Sequence, residues 1–155
     1  MISAIVLVAY LTLASQDGDS ISINVAKREM QIYDNGRLVS RYKVAVGSSR
    51  TPTPRGEFSV EEKLEDPYWC PGESIIRKLS EDFRKFFSRQ RCMPPGPRNP
   101  MGKYAIRFAD GYYIHTTPNE SSIGKAVTLG CIRVPHEAGE YIFENIDKGA
   151  PVYME

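Results

Sequence analysis

Apolar and polar residues alternate from Ile21 onward. Ile21, Ile23 and Val25 interleave with Ser22, Asn24 and Ala26, the period of two that a half-buried strand requires. Met30 and Ile32 carry a second strand, and Asn35-Gly36 follows, between two alternating runs. Both residues accept the positive φ of a tight hairpin turn, so a hairpin is predicted there. Val39, Tyr42, Val44 and Val46 carry the return strand, which ends at Gly47. Further strands are predicted at Glu57 to Lys63, Lys103 to Phe108, Tyr112 to His115, Ile132 to Val134 and Pro151 to Met154.

The period becomes helical in two places. Ile75, Ile76, Leu79, Phe83, Phe86 and Phe87 recur at helical spacing. They predict an amphipathic helix from Ser74 to about Arg89, its apolar stripe packed on the sheet. The other face carries Arg77, Lys78, Arg84, Lys85 and Arg89. That face is either solvated or steers an anionic polymer toward a site. Ala138, Tyr141, Ile142 and Ile146 predict a second helix over Pro135 to Ile146, with Pro135 near the first helical position.

Composition narrows the class. A chain of 155 residues suits one domain with a real core. A net charge of +1 makes no case for nucleic acid. No 18-residue apolar run is present, so no conventional transmembrane helix is predicted. Residues 2–14 form a shorter apolar run with Thr12 and Ala14 placed for small-residue cleavage. That run reads as a signal peptide over residues 1–14, although no Lys or Arg precedes it. The alternative is a first strand of a cytosolic domain. Export to the periplasm or cell envelope is therefore expected, with one domain over residues 15–155 interrupted by an insert at about residues 66–100.

The three cysteines bear on the same question. Cys70 and Cys92 stand at the two feet of the insert. A disulfide between them would close a loop of ~20 residues and stabilise the fold by about 3 kcal/mol in the chain-entropy model. Cys131 would then be the free thiol. Three reduced, unrelated cysteines are the alternative.

The candidate chemistry lies between Gly111 and Val134. His115 ends one predicted strand and Cys131 immediately precedes another. If the strands are neighbours, the imidazole can take the thiol proton and the thiolate can attack. Gly130 lets the backbone approach a substrate and offer N–H groups to an oxyanion. The competing reading is an inert buried cysteine and a hydrogen-bonded core histidine. The other histidine, His136, reads as a surface residue at a helix start. Two histidines and no CxxC pair argue against a zinc site, so no metal and no cofactor are expected.

The neighbours of these residues carry a resemblance. Ile114-His115, then Ser122-Ile123-Gly124, then Thr128-Leu129-Gly130-Cys131-Ile132-Arg133 resemble the catalytic motif of the L,D-transpeptidases (the YkuD, or ErfK/YbiS/YcfS/YnhG, family). Thr53-Pro54-Arg55-Gly56-Glu57-Phe58 is similar to that family's Thr-Pro-x-Gly-x-Phe turn. Pro94 to Gly102 is similar to its Pro-Pro-Gly-x-x-Asn-Pro-Leu/Met-Gly segment. One position departs: Leu129 stands where the family usually has histidine.

The resemblance implies a mainly β fold of mixed, sandwich-like sheets, with one amphipathic helix in the insert and one C-terminal helix. It implies a monomeric cysteine acyltransferase acting on peptidoglycan stem peptides. Cys131 would be the nucleophile and His115 the general base and acid. The Thr116 backbone carbonyl would orient His115, and the N–H groups of Cys131 and Gly130 would meet the oxyanion. Arg133 would bind substrate carboxylate, with Tyr113, Asn99 and Met101 also contacting substrate. The acyl group would pass to an amine, or to water in a carboxypeptidase or endopeptidase. A catalytically silent peptidoglycan-binding domain is the alternative of another class.

Overall fold

The computed structural model describes residues 18–155. The expected signal peptide, residues 1–14, lies outside the described residues. In chain order the elements are β1 (Ser20–Asn24), β2 (Glu29–Asp34), β3 (Arg37–Lys43), β4 (Val46–Gly47), β5 (Gly56–Ser59) and β6 (Glu62–Glu65). Then come α1 (Glu73–Ile76), α2 (Glu81–Phe87), β7 (Tyr104–Ala109), β8 (Tyr112–His115), a 3-10 turn (Glu120–Ser122) and β9 (Ala126–Thr128). The chain closes with β10 (Ile132–Arg133), α3 (His136–Asn145) and β11 (Pro151–Met154).

These strands form a mainly β fold of mixed sheets. One sheet has the order β3-β2-β1-β11-β5, and a second the order β10-β8-β7-β6. β4 and β9 form a short ribbon. The first sheet is mixed because β1 runs parallel to β11, and the second because β10 runs parallel to β8. The hairpin falls on Asn35-Gly36. Asp34 pairs with Arg37, and the two turn residues sit at φ 47° and 74°, as a two-residue turn that follows strand twist demands.

The core lies between the two main sheets. Ile21, Ile23, Met30 and Ile32 from the first meet Ile106, Phe108, Ile114 and Ile132 from the second in one cluster. Ala138, Ile142 and Ile146 bring α3 into the same cluster. Each of these isoleucines is at most 1% exposed, so each contributes about 1.5–3 kcal/mol of hydrophobic stabilisation. The terminal strand therefore holds both ends of the domain: β11 lies between β1 and β5.

Three predicted elements differ. The return strand expected through Val44 and Val46 to Gly47 ends at Lys43 as β3, paired with β2, and Val46–Gly47 forms β4, paired with β9. The single strand expected over Glu57 to Lys63 is two strands in two sheets. Val60 bonds to Ala150 beside β11, whereas the next residue, Glu61, bonds to Arg107 of β7. The chain turns a corner between the sheets there, and alternation along one segment carries no record of which sheet supplies its partner. The single helix expected over Ser74 to Arg89 is also two helices. Ser80 is extended (φ −60°, ψ 161°), and α2 starts afresh with Glu81 and Asp82 in its first turn, where acidic groups complement the helix N-terminus.

Nor does the apolar stripe of this insert pack on the sheet. Phe83 and Phe87 meet Trp69 edge-to-face, with centroids 5.6 and 5.1 Å away. The insert thus has a small aromatic core of its own. Its two legs are joined by a Cys70–Cys92 disulfide and by reciprocal backbone bonds between Trp69 and Met93 of 2.9 and 2.8 Å.

Candidate active site

The register of the second sheet decides which side chains share a face. Arg133 lies opposite His115 on parallel strands, and His115 lies opposite Ala105 on β7. Side chains two residues apart along a strand point the same way. Cys131, Arg133, Tyr113, His115 and Arg107 therefore occupy one face. Ile132, Ile114 and Ile106 occupy the other and enter the core. Cys131 is level with Tyr113, one strand across from His115 and two residues back. That diagonal is about 8 Å between Cα atoms for ordinary strand spacings, within reach of a thiol and an imidazole leaning toward one another.

His115 is 4% exposed. Its Nδ1 lies 2.6 Å from the Thr116 carbonyl oxygen. A carbonyl can only accept, so Nδ1 carries the hydrogen and Nε2 keeps a free lone pair, the tautomer a general base needs. Burial lowers the ring's pKa to about 4, opposed by the Thr116 and Pro100 carbonyls and reinforced by the Arg133 charge. The imidazole is neutral at pH 7.

The Cys131 thiol is also neutral at rest. Burial raises its pKa, while a hydrogen bond from the Tyr113 backbone and the Arg133 charge oppose the shift. Its Sγ makes a long hydrogen bond, 3.9 Å, to the Gly111 carbonyl. A pre-formed thiolate–imidazolium pair is thus disfavoured from both sides. For this pair to supply a nucleophile, proton transfer would have to accompany the attack.

The loop that presents Cys131 is tied from within. Thr128 Oγ1 donates to the Cys131 carbonyl at 2.6 Å and accepts the Gly130 N–H at 3.1 Å. The Thr128 carbonyl accepts from Thr51 Oγ1 at 2.7 Å and from the Ser48 N–H at 3.0 Å. Gly130 has φ 120°, and a Cβ there would stand 2.8 Å from the Tyr112 ring, so no other residue fits. Its N–H, expected to face an oxyanion, is committed to Thr128 instead. Thr128 is the site residue that sequence reasoning left without a role. The signal was present as a threonine two residues before a glycine, where its hydroxyl can cap a turn.

Arg133 extends beside the pair. Its Nη1 donates to Ser122 Oγ at 3.3 Å, while its Nε is buried with no partner among the described residues. Burial lowers its pKa, and an unpaired buried donor of this kind favours an incoming anion. Tyr113 is half-buried on the same face. Asn99 and Met101 are placed differently from the expectation of substrate contact: they are 0% and 5% exposed. The Asn99 amide bonds to Pro67 and Pro94 carbonyls at 2.9 and 3.2 Å, and its Oδ1 accepts the Met101 N–H at 2.9 Å. Both residues stand behind the site rather than on its surface. His136 is exposed, as its position predicts, and its backbone N–H is bonded to Glu120 at 2.8 Å.

The chain is similar to known proteins in sequence and in fold. Residues 18–154 match the profile of the YkuD family, described as the L,D-transpeptidase catalytic domain. A Salmonella typhimurium protein described as a probable L,D-transpeptidase, ErfK/SrfK, is 31% identical over 154 residues, covering 98% of this chain and 49% of that protein. The chain thus spans about half the length of that relative. The solved catalytic domain of an Enterococcus faecium L,D-transpeptidase superposes with a TM-score of 0.66 at 21% identity, covering 90% of this chain and 98% of that one. L,D-transpeptidase 3 from Mycobacterium tuberculosis, in complex with a faropenem-derived adduct, superposes with a TM-score of 0.68 at 18% identity, covering 89% and 60%. A thiol, an imidazole and an arginine on one face of a mixed sheet, within a chain matched from residue 18 to residue 154, make this protein a member of the L,D-transpeptidase catalytic domain family.

Proposed function

We propose that this chain is a cysteine acyltransferase of cell-wall peptidoglycan. It cleaves the bond between the L-centre of the stem's diamino acid and D-Ala, and it passes the acyl group to an amine. The observation that supports the reading is the strand register that pairs Arg133 with His115, with Cys131 two residues before Arg133.

In this reading Arg133 receives a substrate carboxylate at its unpartnered Nε. His115 Nε2 takes the Cys131 proton as Sγ attacks the scissile carbonyl, and the Cys131 N–H meets the oxyanion. The protonated ring then gives its proton to the leaving D-Ala amine, and a thioester remains. The acceptor amine attacks the thioester, His115 takes its proton, and the thiol is restored. The Thr116 carbonyl, 2.6 Å from Nδ1, holds the ring while Nε2 gains and loses the proton. The apolar residues 2–14 support export to the cell envelope, where the stems are.

The test is intact-mass spectrometry after incubation with a carbapenem, followed by peptide mapping. The M. tuberculosis neighbour carries an adduct derived from faropenem, another β-lactam, which makes a β-lactam probe apt. An adduct on Cys131 supports an activated thiol. No adduct, with Cys131 still open to a small alkylating agent, rejects the enzyme reading and leaves a peptidoglycan-binding domain. Products from tetrapeptide stems then separate transfer from hydrolysis.

A further inference from the structure

A short turn, Asn99 to Gly102, stands directly behind the catalytic histidine. Asn99 makes it rigid by joining three separate strands of chain. Its Nδ2 donates to the Pro67 carbonyl on the outgoing leg of the insert, 2.9 Å away, and to the Pro94 and Met93 carbonyls on the returning leg, at 3.2 and 3.4 Å. Its Oδ1 accepts the Met101 N–H at 2.9 Å, and its own carbonyl accepts the Gly102 N–H at 3.2 Å. A fully buried amide with all its groups engaged rigidifies what it touches.

The turn presses on the peptide that holds the imidazole. The Met101 carbonyl accepts from Thr116 Oγ1 at 3.4 Å. Gly102 adopts φ 64°, and a Cβ on it would meet Thr116 Oγ1, stand 2.7 Å from the Thr116 carbonyl carbon and stand 2.8 Å from the Thr117 nitrogen. The same Thr116 carbonyl oxygen receives His115 Nδ1. On the other side of the insert, the Cys70–Cys92 disulfide lies next to the Trp69–Met93 bridge, and Met93 is itself one of the Asn99 acceptors. A chain of direct contacts therefore runs from the disulfide through Met93, Asn99, Met101 and Thr116 to His115.

We propose that Asn99 is a positioning residue for His115, and that through it the Cys70–Cys92 staple holds the catalytic imidazole in its working orientation. The proposal rests on the reading of His115 as the general base. Without Asn99 the turn is free to move away from Thr116. The Thr116 peptide then tilts, water reaches the ring, and the Nδ1–H tautomer is no longer enforced. Loss of the disulfide frees the Pro67 and Met93 carbonyls to move apart and acts in the same direction.

The experiment compares the wild-type protein with Asn99→Ala, Gly102→Ala and the Cys70→Ser/Cys92→Ser double variant. Two readouts are taken on each: the 15N resonances of His115, which report its tautomer, and the pH profile of Cys131 acylation by a carbapenem. Asn99→Ala is expected to mix the tautomers, to slow acylation about 100-fold, the scale of a misplacement of about 1 Å, and to move the acid limb of the profile to higher pH as the ring is solvated. Gly102→Ala should do the same, and the double variant should do so more weakly. A folded Asn99→Ala protein with the wild-type tautomer and an unchanged pH profile overturns the proposal. An unchanged double variant overturns the role of the staple. Should Asn99→Ala fail to fold, Gly102→Ala decides the first point. Failure of the wild-type protein to be acylated would strike the enzyme reading alone, because the tautomer readout needs no activity.

Discussion

Nδ1 of His115 lies 2.6 Å from the carbonyl oxygen of Thr116, the very next residue in the chain. A backbone acceptor differs from the carboxylate partner of many catalytic histidines. It fixes the tautomer, yet it brings no negative charge to sustain an imidazolium. Burial therefore outweighs the opposing pull of the Thr116 and Pro100 carbonyls, and the ring's pKa falls to about 4.

The first prediction concerns pH. A base with a lowered folded pKa costs stability only where the unfolded chain would bind the proton and the folded one would not. Stability from His115 is thus complete above pH 6.5, falls as pH drops from 6.5 toward 4, and is flat below. With a folded pKa of about 4 the loss is about 3 kcal/mol. Urea unfolding at pH 7, 5.5 and 4 should show a drop that His115→Gln flattens. In the same variant, Cys131 acylation at pH 7 should slow by about 1000-fold, within the range for loss of a general base. A parallel acid response in the two proteins would refute the assignment.

Arg133 should separate binding from folding. Its unpartnered Nε is a buried donor that folding leaves unsatisfied. Arg133→Met removes that donor and keeps volume, so stability should stay within about 1 kcal/mol of wild type or rise. Turnover of a stem carrying a free carboxylate should fall by roughly 30-fold or more, the worth of a charge-assisted hydrogen bond of about 2 kcal/mol. Thermal melts and kcat/KM with a free and an amidated stem would check both halves. Equal losses on the two stems would remove Arg133 from carboxylate recognition.

Thr128 should matter to both stability and rate. Thr128→Val keeps the shape but strands the Gly130 N–H and removes the donor to the Cys131 carbonyl. Two broken buried bonds should cost about 2–3 kcal/mol. Acylation of Cys131 should slow even at temperatures where the variant is fully folded. A variant as active as wild type at 15 °C would show that the hydroxyl serves folding alone.

The disulfide should be felt first in the insert. Cys70→Ser/Cys92→Ser opens a loop with a sequence separation of 22 and should lower stability by about 3 kcal/mol. Because Trp69, Phe83 and Phe87 form a small core apart from the main one, hydrogen exchange over residues 66–98 should rise before that of β1 and β8. Uniform acceleration across the domain would argue that the insert and the sheets unfold as one unit.

Much of this protein is written locally. The Asn35-Gly36 turn, the strand from Ile21 and the helix after Pro135 follow from residues that touch their own neighbours in sequence, so their periodicity is enough to find them. Cys131, His115 and Arg133 were legible as candidates, because a thiol, an imidazole and a guanidinium announce their chemistry by type, and the structure pairs Arg133 with His115. What only the tertiary structure decided are relationships between distant segments. Glu57 to Lys63 looks continuous, yet it divides between two sheets because Val60 finds Ala150 and Glu61 finds Arg107. The insert stripe looks like core for the sheet, yet Trp69 meets it first. Asn99 looks like a polar contact for substrate, yet its amide is saturated by Pro67, Pro94 and Met101. Gly130 looks like an oxyanion donor, yet Thr128 takes its N–H. In each case the side chain or peptide group was known from sequence, and its partner was not. A hydrogen-bonding group can satisfy itself equally well with several partners, and only the folded chain selects which one is near.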